Sequence, residues 1–306
     1  MKYLKLIRYK NLLMLAFMQL VFRYLFLTQS YIDLALTDFN FILLVIATVC
    51  IAAGGYIINN IIDQDTDEIA KPQNRVVGVS ISETEAYNWY IILTIIGVGI
   101  GFYLSNVICK PTFASMSILV ATLLYVYATN LKQIPLLGNI IVALLLSTSI
   151  VTIALFDILP AIDLENYNRM KSAFDILINY AIFAFIINLI REIIKDVEDM
   201  DGDFQTGINT LPIFIGMQKT KLLVGFLTLM AIVILAYYLK NSLFEFDYTI
   251  YYALVFVFGP LVYFGAKLIS ATTKKEFHHL STILKIVLFF GILSIVVIVL
   301  NLKYAQ

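Results

Sequence analysis

Residues 41–67 read FILLVIATVCIAAGGYIINNIIDQDTD. The first eighteen of these, 41–58, carry no charge. That is close to the roughly 20 apolar residues needed to cross the hydrocarbon core of a bilayer. The run shows no two-residue alternation of apolar and polar side chains, so it reads as a helix rather than a barrel strand. It then breaks into Asn59 and Asn60, followed by Asp63, Asp65 and Asp67. A membrane helix thus delivers a cluster of acids to one of its ends.

Eight further segments have the same character. With 41–62 they give nine expected spans: 11–30, 41–62, 86–107, 112–129, 134–155, 174–194, 221–239, 249–268 and 281–303. The whole chain agrees, with 306 residues, 61% hydrophobic, 14% charged and a mean hydropathy of +0.90. Soluble domains carry about 25% charged residues. These values exclude a disordered chain, a nucleic-acid-binding module and most soluble enzymes. The expected fold class is all-α, a polytopic membrane protein of nine transmembrane helices. No Pro-, Gly- or Ser-rich linker interrupts it, so residues 1–306 are expected to form a single domain. Cys50 and Cys109 lie in or beside apolar runs, and their spacing suits neither a zinc site nor a disulfide framework. The basic N-terminus resembles a signal peptide, but Gln19 and Arg23 and the lack of a small-x-small cleavage site favour a retained first helix.

Basic residues set the expected orientation. Nine spans put the N-terminus and the loops after spans two, four, six and eight on one side. Fourteen Lys and Arg fall there and five on the other side, with Arg23 and Lys285 inside spans. The N-terminus is therefore expected in the cytoplasm of a multi-pass plasma-membrane protein. Twelve of the 21 acids crowd two stretches on that same side, Asp63 to Glu85 and Glu192 to Asp203, read as loops. Like charges at this density repel and call for a cation.

The spacing within the two stretches matches. Asp63 and Asp67 are i,i+4, as are Asp199 and Asp203, so each pair faces one side of a helix end. Both pairs are separated by the same offset of 136 residues. That repeat implies two pseudo-equivalent halves around a central cavity, with carboxylates converging at its mouth. Magnesium suits such a site, because it takes few carboxylates and fills its shell with water and phosphate oxygens. The third component is then a polyphosphate, and Lys71, Arg75, Arg191 and Lys195 flank the acids to neutralise it. Neither stretch has the ligand pattern of a calcium EF-hand. An ion-coupled transporter is the alternative of a different class, but transporters place ionisable groups near the midplane. Here the mid-span regions read as nearly free of carboxylates.

The motifs resemble those of the UbiA superfamily of intramembrane prenyltransferases. Asn59-Asn60-x-x-Asp63-x-x-x-Asp67, followed by Lys71-Pro72 and Arg75, is similar to its first signature. Asp196-x-x-Asp199-x-x-x-Asp203, with Gly207-Ile208-x-Thr210-Leu211-Pro212 after it, is similar to its second. Residues 125–139, YVYATNLKQIPLLGN, resemble its loop between spans four and five. Asn60 departs from the family's usual acid, and Val76 from its usual Pro; an acid restored at Asn60 is expected to be tolerated.

The resemblance implies transfer of a prenyl group, geranylgeranyl by preference, from its diphosphate to a lipophilic acceptor. Asp63, Asp67, Asp199 and Asp203 would be catalytic and would hold Mg²⁺, with Asp196 in the metal set. Asn59, Arg75, Lys132, Arg191 and Lys195 would serve the diphosphate. The stretch from Arg191 to Asp203 looks closest to the branch acting on geranylgeranylglyceryl phosphate; prenylation of an aromatic quinone precursor is the alternative. The implied partners are these substrates and the lipid bilayer, with no nucleic acid and no protein. Some of the 22 Phe and 19 Tyr would line a prenyl tunnel. The paired His278 and His279 read as a solvated face, lacking a third ligand.

Overall fold

The computed structural model describes residues 1–30, 32–70, 75–242 and 247–304. Lys71 lies outside them. Among the described residues the regular secondary structure is all helical, apart from one isolated bridge between Val77 and Ile81. Nine of its helices are long and apolar enough to cross a membrane: α1 Tyr9–Leu27, α2 Asp38–Ile62, α3 Glu83–Val107, α4 Pro111–Thr129, α5 Leu137–Ala161, α6 Tyr167–Gln205, α7 Met217–Lys240, α8 Tyr248–Ser270 and α9 Lys274–Asn301. The helix starts are written locally. Thr37 accepts a hydrogen bond from the Asn40 backbone N–H at 3.3 Å, and Ser82 accepts one from Glu85 at 3.2 Å. Each hydroxyl satisfies an orphan donor at a helix N-terminus.

Span six departs from expectation. It runs 39 residues, so the second acidic stretch is helix and not loop. Nothing stops the helix before Gly207. Gly207 adopts φ +72, its N–H reaches the Phe204 carbonyl, and the Ile208 N–H reaches that of Asp203 at 2.9 Å. This is the Schellman arrangement, in which a left-handed glycine closes the last turn. The first stretch breaks earlier. Asp63 ends α2, and a short helix, Gln64–Ala70, carries Asp65 and Asp67.

Outward surfaces are apolar, as lipid requires: Leu222, Phe226 and Tyr237 on α7 are 76%, 63% and 70% exposed. Polar side chains turn inward. Arg23, 3% exposed, forms an ion pair with Asp157, which is 0% exposed. Arg23 also donates to the Leu36 carbonyl at 2.8 Å, and Asp157 accepts from the Leu36 N–H at 2.9 Å. Asp157 lies within α5, in a π-helical stretch, Ala154–Ile158, and Arg23 in another, Val21–Leu27. The pair closes the end of the bundle opposite Asp63, since α2 spans about 37 Å between the two ends at 1.5 Å per residue.

Close helix contact depends on small residues on α3. A Cβ at Gly97 would lie 2.6 Å from Ile51 Cγ1 and 3.0 Å from the Ala47 carbonyl on α2. One at Gly101 would lie 2.0 Å from Ser117 Oγ on α4. Glycines four apart let backbones approach where dispersion, not the hydrophobic effect, holds helices together. Gly97→Leu is therefore expected to destabilise the protein by about 1–3 kcal/mol or more, read as a lower thermal midpoint in detergent. Gly99 meets nothing within 4 Å; Gly99→Leu serves as the control and is expected to leave the midpoint in place.

Candidate active site

The two acidic motifs meet at one end of the bundle. Asp63 closes α2, and the Asn59 side chain one turn earlier donates to its Oδ2 at 2.7 Å. The other carboxylate oxygen of Asp63 pairs with the Lys132 ammonium. Lys132 sits in a 3₁₀ turn, Leu131–Gln133, between α4 and α5. Seven residues on, Asn139 donates from its amide to Asp196 Oδ2 on α6 at 2.8 Å. A single connection, 131–139, therefore touches both motifs.

The local sequence explains how. Leu136 takes a positive φ of 67, which folds the chain back toward α5. Gly138 then packs beneath Lys132: a Cβ there would lie 3.1 Å from Lys132 Cα and 3.2 Å from the Leu131 carbonyl. Lys132 is 11% exposed and Asp63 19%. Desolvation brings the Lys132 ammonium down to about 8, while its carboxylate partner favours the charged form. Beneath this connection lies a cavity of about 30 Å³, lined by Tyr127, Lys132, Asn139, Glu192, Asp196 and Thr210 among others. It is the size of about two water molecules. The Thr210 hydroxyl is buried there without a hydrogen-bond partner among the described residues.

The remaining expected site residues have specific surroundings. Asp67 lies on the short helix after α2, which packs against α6. Asp199 faces Lys274 of α9 at 3.8 Å. The charge of Asp203 is felt at Asp196. Arg75 pairs with Glu68 at 2.5 Å, within its own segment. Arg191 and Lys195 both close on Glu192, at 2.9 and 2.8 Å. So the structure does not aim Arg75, Arg191 and Lys195 at the Asp63–Lys132 pair; each is held by a neighbouring acid. His278 is 71% exposed and bonds Glu198 at 2.9 Å.

Asn60 points away from the carboxylates. Its amide donates to the Tyr56 carbonyl at 2.7 Å and to the Leu6 carbonyl at 3.3 Å. An acid there would set a carboxylate against two carbonyl oxygens, so the expected tolerance of Asn60→Asp loses its basis. Glu192, Asn139, Tyr127 and Thr210 were not among the candidate residues. Glu192 had a signal: it stands between Arg191 and Lys195, four residues before Asp196.

Among the described residues no three His, Cys, Asp or Glu side chains are gathered closely enough to hold a metal ion by themselves. The five acids Asp63, Asp67, Asp196, Asp199 and Asp203 thus do not form an all-protein cage. The donor set still fits magnesium, which binds through one or two carboxylates and completes its octahedron with water and phosphate oxygens. The donors here are all oxygen, and they are divided between two helical elements facing one mouth.

Comparison with known proteins follows the same lines. The model of the UbiA prenyltransferase family matches residues 15–289. The chain is 33% identical over 184 residues to digeranylgeranylglyceryl phosphate synthase of Sulfolobus acidocaldarius, covering 58% of this chain and 59% of that one. It is 29% identical over 244 residues to the Korarchaeum cryptofilum enzyme of the same name, covering 78% and 79%. The aligned part thus spans less than two thirds of the Sulfolobus relative's length. A solved structure concerned with digeranylgeranylglyceryl phosphate synthase in membranes superposes with a TM-score of 0.69 at 23% identity, over 97% of this chain and 96% of that one. A UbiA homologue from Archaeoglobus fulgidus bound to GPP and Mg²⁺ superposes at 0.60 with 16% identity, over 96% and 99%. The chain belongs to the UbiA prenyltransferase family.

Proposed function

We propose that this protein transfers a geranylgeranyl group from its diphosphate to the glycerol hydroxyl of geranylgeranylglyceryl phosphate, with Mg²⁺ on the diphosphate. The observation that carries the reading is the connection 131–139, which joins Asp63 through Lys132 and Asp196 through Asn139. The relatives named above supply the acceptor, and the ligands of the Archaeoglobus homologue supply the donor class.

In the reaction the allylic C–O bond to the diphosphate breaks, a C–O bond to the glycerol oxygen forms, and the hydroxyl proton passes to the released diphosphate. Negative charge gathers on the departing diphosphate. Asp63 and Asp67 from one motif, and Asp199 and Asp203 from the other, would hold the magnesium. Bound there, magnesium neutralises the leaving group. Lys132 is a compact ammonium on a flexible stem. It exchanges the Asp63 carboxylate for a diphosphate oxygen, where its charge stabilises the transition state more than the ground state. Asn59 keeps Asp63 oriented. The apolar helices around the mouth exclude water from the reactive allylic carbon.

Purified protein given labelled geranylgeranyl diphosphate and Mg²⁺ is expected to convert geranylgeranylglyceryl phosphate to the doubly prenylated lipid. Transfer to an aromatic quinone precursor alone overturns the reading of the acceptor. Excess EDTA is expected to stop the reaction, and Asp63→Ala, Asp67→Ala, Asp199→Ala and Asp203→Ala each to lower the rate by about 100-fold or more. Wild-type turnover in EDTA, or in an Asp63→Ala/Asp199→Ala protein, sinks the metal assignment.

Lys132→Ala is expected to insert and fold normally and to lose kcat/KM by about 30- to 1000-fold, the size of losing one transition-state donor. Lys132→Arg should keep part of the activity. A loss of twofold or less leaves Lys132 as a membrane-side anchor only. The orientation follows from the fourteen-to-five imbalance of basic residues. In a background lacking Cys50 and Cys109, cysteines placed at Thr66 and Gln205 are expected to react only with reagents that reach the cytoplasm. Labelling of both from outside reverses the topology.

A further inference from the structure

Lys285 lies inside α9 and has no part in the reaction described so far. A lysine within a membrane span is costly and calls for a partner or a water-filled cavity. Its surroundings follow from helix geometry. α6 and α9 run antiparallel, with His278 of α9 on Glu198 of α6 at 2.9 Å. Seven residues along α9 from His278 is Lys285, and seven back along α6 from Glu198 is Arg191. Seven residues are two turns, or about 10 Å, on the same helix face. Lys285 is therefore level with Arg191. Four residues further on, Phe289 stacks on Phe17 of α1 with ring centroids 6.0 Å apart. The face that carries His278, Lys285 and Phe289 thus lies toward α1 and α6; Lys285 is exposed, and the charges of Arg191, Lys195, Glu192 and Glu198 on α6 act on it.

The charges there do not balance. Arg191 and Lys195 already share Glu192. Arg8 bears on the same carboxylate, and Arg191 and Lys195 both bear on Lys285. Glu198 bonds His278 and also acts on Lys285. Arg191 Nε is buried without a hydrogen-bond partner among the described residues. Lys285 likewise has no hydrogen bond or ion pair there. Four cations, Arg8, Arg191, Lys195 and Lys285, thus outnumber the three carboxylates among them, Glu192, Asp196 and Glu198, and with donors unsatisfied they call for an anion.

We propose that Lys285 and Arg191, with Lys195 beside them, form a phosphate subsite that takes the phosphomonoester of the acceptor. This rests on the acceptor class proposed above. The same chemistry would suit the diphosphate of the donor, but position decides against it. Arg191 lies eight residues before Asp199, about 12 Å along the helix. A diphosphate held at Asp199 and Asp203 would have to extend along that distance to serve both places, whereas a second, separately bound phosphate needs no such reach.

The test compares Lys285→Met and Lys285→Arg with the wild type in steady-state assays, varying each substrate in turn. Geranylgeranylglyceryl phosphate and geranylgeranylglycerol, its unphosphorylated counterpart, serve as the two acceptors. Lys285→Met is expected to raise KM for the phosphorylated acceptor by about 10- to 100-fold, the loss of one charge-assisted contact. KM for geranylgeranyl diphosphate should move by less than about twofold, and the preference for the phosphorylated acceptor should narrow by about tenfold or more. Lys285→Arg should restore most of the affinity. A rise in KM for the diphosphate instead assigns Lys285 to the donor and overturns the proposal. So does an unchanged KM for the phosphorylated acceptor in a variant that folds and turns over. If the wild type itself fails to use geranylgeranylglyceryl phosphate, the acceptor reading fails first, and that result is seen before any variant is made.

Discussion

Hydrocarbon offers no hydrogen-bond partner to a charge, and the whole arrangement of this chain answers to that constraint. Each polar group within the bilayer must find its partner inside the protein or sit at a helix end. Arg23 survives inside the bundle because Asp157 and the Leu36 backbone enclose it. Removing either partner would leave an uncompensated buried charge, at a cost of about 3–5 kcal/mol. The pair ties α1, α2 and α5 at one end and leaves the other end for the acids. Chemistry that needs many charges is thereby confined to a single face.

At that face the two motifs are brought together by a third segment. The end of α2 with the short helix after it, and α6, each present acids one turn apart, yet neither motif neutralises the other, because both are negative. The connection 131–139 resolves this with one cation and one amide. Lys132 meets Asp63, Asn139 meets Asp196, and Leu136 and Gly138 give the backbone the tight reversal that places both. The same segment is therefore a structural bridge between the motifs, and in the proposed reaction it would supply positive charge to the diphosphate.

Further along α6 the balance reverses. Arg8, Arg191, Lys195 and Lys285 outnumber Glu192, Asp196 and Glu198 there, so this part of the protein is net positive where the mouth is negative. Two zones of opposite sign, about two to three helical turns apart, suit two phosphorylated ligands. In the proposed reaction one would be held through cations at carboxylates, the other directly by basic side chains. The separation keeps the anionic groups of donor and acceptor apart while their reacting atoms approach.

Much of this was legible in the sequence. Nine apolar runs, each about as long as a bilayer core is thick, allow only a helical membrane fold, and period and length suffice to read it. The equal spacing of Asp63 and Asp67, and of Asp199 and Asp203, marked both motifs, because i,i+4 geometry belongs to the local helix. What the sequence could not decide was partnership between distant residues. Arg75, Arg191 and Lys195 look alike as cations beside acids, yet Glu68 and Glu192 hold them, which depends on rotamers and packing. Asn60 reads as a substituted motif acid, yet its amide belongs to the Leu6 and Tyr56 carbonyls. Lys285 reads as a stray charge in a span until the antiparallel register of α6 and α9 sets it level with Arg191. Hydrophobic pattern and helical period are properties of a short window, so the sequence determines them alone. Which charge meets which is a long-range matter, and only the packing of the helices decided it.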